Sequence, residues 1–146
     1  MKTVLQILKT KPDRSVHTIA PTASVCDAAE LMTRHNLGAL LVLDGERLVG
    51  IVTERDYARK MMLADRSPRD TPVRDIMVAP VQYVNPEQTN EECMALMTER
   101  RVRHLPVIEH GQLVGLVSIG DLVKDIISEQ QFIIEQLEHY IAGDRG

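Results

Sequence analysis

The sequence is poor in the side chains that most proteins use to bind nucleic acid. Among its 146 residues there is no Trp, one Phe and three Tyr, so aromatic residues make up only 3%. The formal net charge is −4 at pH 7, which does not suit a broadly basic surface. Because stacking aromatics and clustered Lys or Arg carry most nucleic-acid recognition, we expect no nucleic-acid partner.

Cysteine is also scarce, and spacings typical of metal sites are absent. The two cysteines, Cys26 and Cys93, belong to no C-x-x-C pair and occupy different places in the repeat described below. The five histidines show no HExxH or comparable ligand spacing. We therefore predict two buried free thiols, no metal site and no catalytic cofactor.

Long apolar runs and the common catalytic motifs are missing as well. No stretch approaches the ~18 apolar residues needed to span a bilayer, and residues 1–11 contain no secretory signal, so we expect a cytoplasmic protein without membrane contact. The sequence contains no G-x-x-x-x-G-K-[ST], G-x-G-x-x-G or G-x-S-x-G motif. No nucleophile stands beside a base either, so we do not expect an enzyme.

An internal repeat is the main feature that the sequence does have. Residues 50–56 (GIVTERD) return as residues 115–121 (GLVSIGD), at a constant offset of 65 positions. Between Leu37–Asp56 and Val102–Asp121, 7 of 20 positions are identical, whereas roughly one would be expected by chance. The chain is therefore predicted to contain two copies of one structural unit.

Apolar periodicity and turn residues predict the order β-α-β-β-α in each copy, which is an α/β (α+β) fold. The first copy is predicted to have an extended piece at 16–19, a helix over 25–35, strands over 39–43 and 48–53, and a helix from about 56 to 63. In the second copy the corresponding segments are 81–84, a helix from Thr89 to 100, strands over 105–108 and 113–118, and a closing helix. The predicted divisions are residues 1–15 as a helical lead-in, 16–66 and 73–128 as the repeats, and 129–146 as a helical tail.

Both ends of the chain are predicted to be helical. Residues 3–11 form a short apolar pattern that ends at Pro12. In the closing helix the apolar residues continue with helical spacing from Leu122 to Ile141, and Gly143 is predicted to end it. Since a long apolar stripe needs a cover, we expect the tail to pack on the N-terminal segment or on a second subunit.

Each copy places a hydroxyl residue and an aspartate where a strand leads into a helix: Thr53 with Asp56, and Ser118 with Asp121. A helix start offers free N–H groups and a positive dipole end to phosphate. One carboxylate can accept hydrogen bonds from both vicinal hydroxyls of a ribose. The alternative is that the aspartates only stabilise the helix dipole and the hydroxyls only cap the helix. Recurrence in both copies favours the nucleotide interpretation.

Two further features have more than one interpretation. Gly50 and Gly115 could permit a tight turn, which is the simpler interpretation, or the close approach of a ligand. Residues 100–106 (RRVRHLP) put four basic side chains ahead of a strand. They could form a solvated helix end, or Arg103 and His104 could bind phosphate oxygens.

With these motifs, the chain resembles a stand-alone tandem CBS-domain protein, whose paired repeats are called a Bateman module. The resemblance is carried in the first copy by A-A-E-L-M-T, G-A-L-L-V-L-D and L-V-G-I-V-T-E-R-D-Y. In the second copy it is carried by M-A-L-M-T-E-R-R-V-R-H-L-P-V and L-V-G-L-V-S-I-G-D. The tail E-Q-Q-F-I-I-E-Q-L-E-H-Y-I further resembles a bacterial two-repeat subfamily.

The resemblance implies a pseudo-two-fold pair of repeats with small packed sheets, assembled into a disc-like homodimer. It also implies a regulatory sensor that binds an adenosine nucleotide such as AMP, ADP, ATP or NAD(H) and signals to an effector protein. Two other functions are kept as alternatives. One is a structural interaction subunit with vestigial clefts, and the other, which the sequence favours less, is a nucleotide-processing enzyme.

The resemblance also implies two ligand clefts, each shared by both copies. One would use Asp121 for ribose and Ser118 for phosphate, together with Leu116, Leu37, Gly38, His17, Arg103 and His104. The other would use Asp56, Thr53, Ile51 and Ala39, together with residues 77–81 from Met77 to Val81, Val102 and Arg103. Because Gly38-Ala39 stands where the second copy has Arg103-His104, the two clefts need not bind with equal affinity.

Overall fold

The computed structural model describes residues 2–142, and the chain divides into two compact units. The first-repeat unit is Ser15–Tyr83, and the second-repeat unit joins Met1–Arg14 to the chain from Val84 onward. The elements in chain order are α1 (Val4–Thr10), β1 (Thr18–Ile19), α2 (Val25–His35), β2 (Ala39–Asp44), β3 (Arg47–Thr53), α3 (Glu54–Asp56), a π-helical segment (Tyr57–Met62), a 3-10 turn (Val73–Asp75), α4 (Asn90–Arg100), β4 (His104–Glu109), β5 (Gln112–Ser118) and α5 (Ile119–Ile141).

The first-repeat unit is a three-stranded sheet covered by α2. Strand β1 runs parallel to β2, and β2 pairs antiparallel with β3. Helix α2 begins where the Ser24 side chain accepts the N–H of Asp27 at 3.0 Å, and it ends at Asn36 in the left-handed conformation. Its buried face packs on the apolar residues of the strands, as the sequence pattern predicts.

The second-repeat unit is a two-stranded antiparallel sheet, β4 with β5, that packs with α1, α4 and the start of α5. Helix α1 contributes Val4 and Ile7 to this core, where they are 0% and 2% exposed. Helix α4 is held by a capping box between Thr89 and Glu92. The N-terminal helix therefore completes the core of a repeat that begins some seventy positions later in the chain.

The predicted leading strand of the second copy, over 81–84, is wrong. Only Val84 pairs, in an isolated parallel bridge to Val107. Residues 81–83 form no strand pairing, and pairing stops after Val84 because the Asn85 side chain accepts the N–H groups of Glu87 and Gln88 at 2.9 and 3.1 Å. This turn takes the backbone away from the sheet edge after one residue.

The helix predicted from about 56 to 63 also differs in detail. It begins two residues earlier, at Glu54, and from Tyr57 to Met62 it is wound as a π-helix. In the second repeat the equivalent helix is regular over 23 residues. The two copies therefore diverge directly after the aspartate that they share.

Gly50 and Gly115 lie inside β3 and β5, so the turn interpretation is wrong. Each glycine instead lets a side chain from outside the strand pair approach the strand. A Cβ on Gly115 would lie 2.9 Å from both methyl carbons of Leu8, and a Cβ on Gly50 would collide with the sulfur of Met77. The glycines thus make room for a side chain of the protein itself.

Helix α5 is packed at its start and uncovered along its tail. Leu122 is fully buried, and the first turns contact α1 and α4. By contrast, the apolar side chains from Phe132 to Ile141 are between 51% and 82% exposed. The expected contact with the N-terminal segment is therefore made by the beginning of α5, whereas the tail stays uncovered in the single chain. The predicted stop at Gly143 lies outside the described residues.

No helix within residues 2–142 is both long enough and apolar enough to cross a membrane. Both cysteines are free thiols, as predicted, but they differ in burial. Cys93 on α4 is fully buried, whereas Cys26 on α2 is only half-buried, so its predicted burial is wrong. Burial, with the negative charge of Glu92 adding to it, raises the pKa of the Cys93 thiol to about 11.

The two thiols are expected to react at very different rates. At about pH 8 the Cys93 thiol stays protonated because its pKa is raised, and the thiolate is the reactive form. We expect a colorimetric disulfide reagent to label one thiol per folded chain rapidly and the second only in denaturant. Cys26→Ser should remove the rapid phase, and two rapid thiols in the wild type would contradict the assignment.

Filling the space at Gly115 is expected to destabilise the second-repeat unit. In Gly115→Val the new side chain would press on Leu8, and overpacking of this kind costs about 1–3 kcal/mol. Combining it with Leu8→Ala should recover part of that loss, which urea unfolding measures as non-additivity. Gly120→Ala is the control, because its Cβ would meet nothing closer than 3.6 Å. Equal stability of Gly115→Val and wild type would show that the close approach is not a constraint.

Candidate functional site

The junction of β5 and α5 in the second-repeat unit is closed by a capping box. The Ser118 hydroxyl oxygen accepts the N–H of Asp121 at 3.2 Å. In return, Asp121 Oδ2 accepts the N–H of Ser118 at 2.8 Å. This reciprocal pair satisfies two N–H groups that a helix start leaves without partners, and it fixes where the carboxylate lies.

The first-repeat unit has the same arrangement at the junction of β3 and α3. The Thr53 hydroxyl oxygen accepts the N–H of Asp56 at 3.3 Å. Asp56 Oδ2 accepts both the N–H of Thr53, at 2.9 Å, and its hydroxyl, at 3.0 Å. Asp56 is only 7% exposed, so its carboxylate is more deeply placed than that of Asp121.

The capping role that the sequence left as an alternative is thus present in both copies. It occupies Oδ2 of each aspartate, and the hydroxyl residues take part through their side-chain oxygens. Capping does not use all of the acceptor capacity of a carboxylate, which has about four lone-pair positions. Ribose binding by Asp56 and Asp121 therefore stays a prediction that this geometry allows.

The residues before β2 and β4 lie at the same sheet end as the capping boxes. In register, Ala39 pairs with Thr53 and His104 pairs with Ser118. The residue directly before each of these strands accepts the first N–H of the helix. The Gly38 carbonyl accepts the Glu54 N–H at 3.1 Å, and the Arg103 carbonyl accepts the Ile119 N–H at 2.9 Å. The structure thus brings the predicted phosphate residues of the second copy next to its aspartate junction.

Two lysines that the sequence analysis missed lie at these junctions. Lys11 Nζ is 3.0 Å from Asp121 Oδ2 and donates to the carbonyl of Leu116 at 2.9 Å. Lys60 Nζ donates to the carbonyl of Ile76 at 2.8 Å, and its distance to Asp56 Oδ1 is 3.6 Å. Lys60 could have been found from its i, i+4 spacing. Lys11 could not, because its partner is more than a hundred positions away.

A second polar cluster lies one helical turn beyond Asp121. The Asp125 side chain is 5% exposed, and its Oδ1 lies 3.1 Å from Lys2 Nζ. Its Oδ2 accepts the side-chain amide of Asn90 at 2.8 Å, and the same amide donates to the carbonyl of Leu122 at 3.0 Å. Asp125 is therefore paired and hydrogen-bonded within the unit, as a buried carboxylate must be. Lys2 and Lys11 together tie the N-terminal segment to α5.

The remaining predicted residues are divided between the two units. Ile51 is buried in β3 and exchanges backbone hydrogen bonds with Val78, at 3.1 and 2.8 Å, while Met77 packs on the first core. His17 stacks on His35 with ring centroids 4.1 Å apart. Leu37 lies against the first core, Val102 against the second, and Val81 is half-buried. The clefts that combine residues of both copies stay a prediction.

Metal ligation has no basis in the described part of the chain. No group of three or more His, Cys, Asp or Glu side chains in residues 2–142 could hold a metal ion. The carboxylates of Asp56, Asp121 and Asp125 are occupied by capping N–H groups, an amide and lysines instead.

Comparison with known proteins gives consistent matches over most of the chain. A family model of the CBS domain matches twice, over residues 6–63 and 73–128. The mitochondrial CBS domain-containing protein CBSX3 of Arabidopsis thaliana is 42% identical over 125 residues, which cover 82% of this chain and 61% of that protein. This chain therefore spans less than two thirds of the length of the plant protein.

Two bacterial proteins match over most of their own length. The CBS domain-containing protein YhcV of Bacillus subtilis is 34% identical over 115 residues, which cover 79% of this chain and 81% of that protein. A solved structure of a protein with CBS domains from Burkholderia ambifaria has a TM-score of 0.86 and 56% identity, and the match covers 88% of this chain and 96% of that chain.

Proposed function

Because the chain belongs to the CBS-domain family and carries two repeats in tandem, we propose that it is a non-enzymatic sensor of adenosine nucleotides. Proteins of this family are generally regulatory modules. The ligand would be AMP, ADP, ATP or NAD(H), and its binding would be passed to an effector protein. A ligand can do this only by binding two states of the protein with different affinity.

One observation carries the proposal, namely the duplicated carboxylate at the start of a helix. In each unit the capping box holds one aspartate oxygen, which leaves the other oxygen able to accept a hydroxyl donor. A carboxylate held in place by its backbone loses little conformational freedom when it binds a sugar.

Phosphate groups would lie beside the same helix starts. The N-terminus of α5 carries the positive end of the helix dipole. Arg103 directly precedes β4, and His104, the first residue of β4, pairs with Ser118. The first copy has Gly38 and Ala39 at these positions, with no cationic side chain. We therefore expect the site of the second copy to favour the more highly phosphorylated ligands.

Each aspartate is expected to contribute separately to nucleotide affinity. Asp56→Asn and Asp121→Asn keep the side-chain shape but remove the charge that strengthens hydrogen bonds from ribose hydroxyls. A hydrogen bond to a charged group is worth about 1.5–3 kcal/mol, so affinity at the altered site should fall by about ten- to a hundredfold. Calorimetric titration with AMP, ATP and NADH would measure this.

Asp44→Asn, at an exposed position on the end of β2, is the matched control and should leave affinity unchanged. Thermal unfolding offers an independent check, because a ligand at 100 times its Kd should stabilise the fold by about 2.7 kcal/mol. If wild-type protein shows neither heat nor thermal shift with any of the three ligands, the sensor proposal fails. Turnover of the ligand would instead support the enzyme alternative.

A second role, as an interaction subunit, is favoured by the uncovered tail of α5. Six apolar side chains between Phe132 and Ile141 are more than half exposed, and five of them lie on one broad face of the helix. A stripe of this size is a common mark of a protein interface. We propose that it pairs with the same stripe of a second copy, which gives a homodimer.

Charges placed within the stripe are expected to break this pairing. Ile133 and Leu137 lie one turn apart, and burying each would stabilise the dimer by about 1.5–3 kcal/mol. Ile133→Glu with Leu137→Glu should give a monomer of 16.4 kDa in light scattering, where the wild type gives twice that mass. Gln131→Glu with Gln136→Glu adds the same charge at exposed polar positions and should stay dimeric. A monomeric wild type would contradict the proposed pairing.

A further inference from the structure

A lysine from the N-terminal segment holds the carboxylate that we assign to ribose. Lys11 Nζ lies 3.0 Å from Asp121 Oδ2, and both side chains are largely buried, at 23% and 21% exposure. The same ammonium group donates to the carbonyl of Leu116 at 2.9 Å. Lys11 therefore binds two groups of the junction that are also predicted to surround the nucleotide.

The hydrogen-bonding capacity of Asp121 Oδ2 is used up by this contact. That oxygen accepts the N–H of Ser118 at 2.8 Å and faces Lys11 at 3.0 Å. A carboxylate oxygen has two lone pairs, so a third donor has no good position on it. A ribose that places one hydroxyl on each carboxylate oxygen needs one of those positions. The N–H of Ser118 belongs to the helix cap, so Lys11 is the donor that can leave.

We propose that Lys11 is an internal competitor for the ribose at Asp121, and that its displacement couples nucleotide binding to the N-terminal segment. The inference rests on the proposed function and concerns the regulation of that same site. In the nucleotide-free protein Lys11 closes the junction. When the ribose hydroxyls take the carboxylate, Lys11 is released together with the end of α1.

The size of the cavity at this position is consistent with a closed state. A cavity of about 90 Å³ lies between the end of α1 and the first turns of α5, and Lys11 and Asp121 are among its lining residues. Sites for nucleotide-sized ligands are typically about 300–1,000 Å³. Lys11 and Asp121 therefore line a small cavity, and opening their contact would enlarge the space beside Asp121.

The release would be confined to the end of α1. The helix itself is anchored by the buried side chains of Val4 and Ile7 and by the hydrogen bond from Val4 N–H to the Gln88 carbonyl at 2.8 Å. Past Thr10, the Arg14 guanidinium donates to the Lys9 carbonyl at 2.7 Å, a contact within the same segment. Residues 10–14 can thus loosen while the core of the unit stays intact.

The lysine at the junction of the first-repeat unit is placed differently from Lys11. Ile51 corresponds to Leu116, and its carbonyl accepts the backbone N–H of Val78 at 2.8 Å instead of a lysine. Lys60 reaches only 3.6 Å from Asp56, and its ammonium is held by the Ile76 carbonyl. Competition by Lys11 therefore applies to the site of the second copy and would make the affinities of the two sites unequal.

Lys2 provides a matched control for the experiment. Like Lys11, Lys2 lies in the N-terminal segment and forms an ion pair with an aspartate of α5. Its Nζ is 3.1 Å from Asp125 Oδ1. Asp125 has no predicted contact with ligand, so Lys2→Met breaks a similar ion pair without freeing Asp121. Any effect that comes only from loosening the N-terminal segment should appear in both lysine variants.

The test measures adenosine binding in the Asp56→Asn background, where the site of the first copy is weakened and the site of the second copy dominates. Adenosine has the ribose hydroxyls but no phosphate, so a lost attraction between Lys11 and phosphate cannot obscure the result. We expect Lys11→Met to tighten binding by about three- to tenfold, in keeping with the release of a partly exposed ion pair and its hydrogen bond. Lys2→Met should leave affinity unchanged. The gain in affinity caused by Lys11→Met should shrink with 2′-deoxyadenosine, which lacks one hydroxyl.

Hydrogen exchange of residues 10–14 should rise when adenosine or AMP binds protein that retains Lys11.

An affinity that is unchanged or weaker in Lys11→Met would overturn the inference while leaving the proposed function in place, provided that AMP binds the wild type. The same holds if Lys2→Met tightens binding as much as Lys11→Met does. If none of AMP, ATP and NADH binds any variant, the proposed function fails and the inference fails with it. Adenosine binding that appears only in Lys11→Met would be the clearest support.

Discussion

The hydrogen bond between an aspartate oxygen and the backbone N–H of a residue three positions earlier is the interaction on which both repeats depend. It closes the passage from a central strand into the following helix, at Thr53 and Asp56 and again at Ser118 and Asp121. It satisfies a donor that would otherwise be lost at the helix start, and it sets the position of a carboxylate. Stability and the proposed ligand contact therefore use the same side chain, and an aspartate selected for one purpose is available for the other.

The cores are assembled from segments that the repeat boundaries separate. Helix α1 precedes the first copy but completes the core of the second, with Leu8 close to Gly115. In the first-repeat unit Met77 approaches Gly50 in the same way, although it follows that copy in sequence. The absence of a side chain on each glycine is what admits its neighbour to the strand. This arrangement also delivers Lys11 to the second junction, so the packing of α1 and the state of Asp121 are physically linked.

Two copies that share their strands and capping boxes differ in what surrounds them. The first closes with a π-helical segment, and its aspartate is buried and held by its own turn. The second closes with a long helix whose aspartate is held from outside by Lys11. Two copies can keep the same ligand-binding groups and still bind with different affinities, because their surroundings differ. A difference of about 1.4 kcal/mol in binding free energy already changes the Kd tenfold. The exposed tail of α5 gives the second copy a further surface that the first lacks.

The sequence by itself determined the duplication, the helices and paired strands of each copy, and the hydroxyl and aspartate at each junction. These depend on local spacing, and local spacing is what periodicity and capping signals report. Tertiary structure alone decided that Gly50 and Gly115 face a side chain and that Val84 forms only a bridge. It also decided that Lys11 binds Asp121. Each of these contacts joins residues far apart in the chain or turns on how a neighbouring segment packs, and no pattern within one window of sequence encodes that.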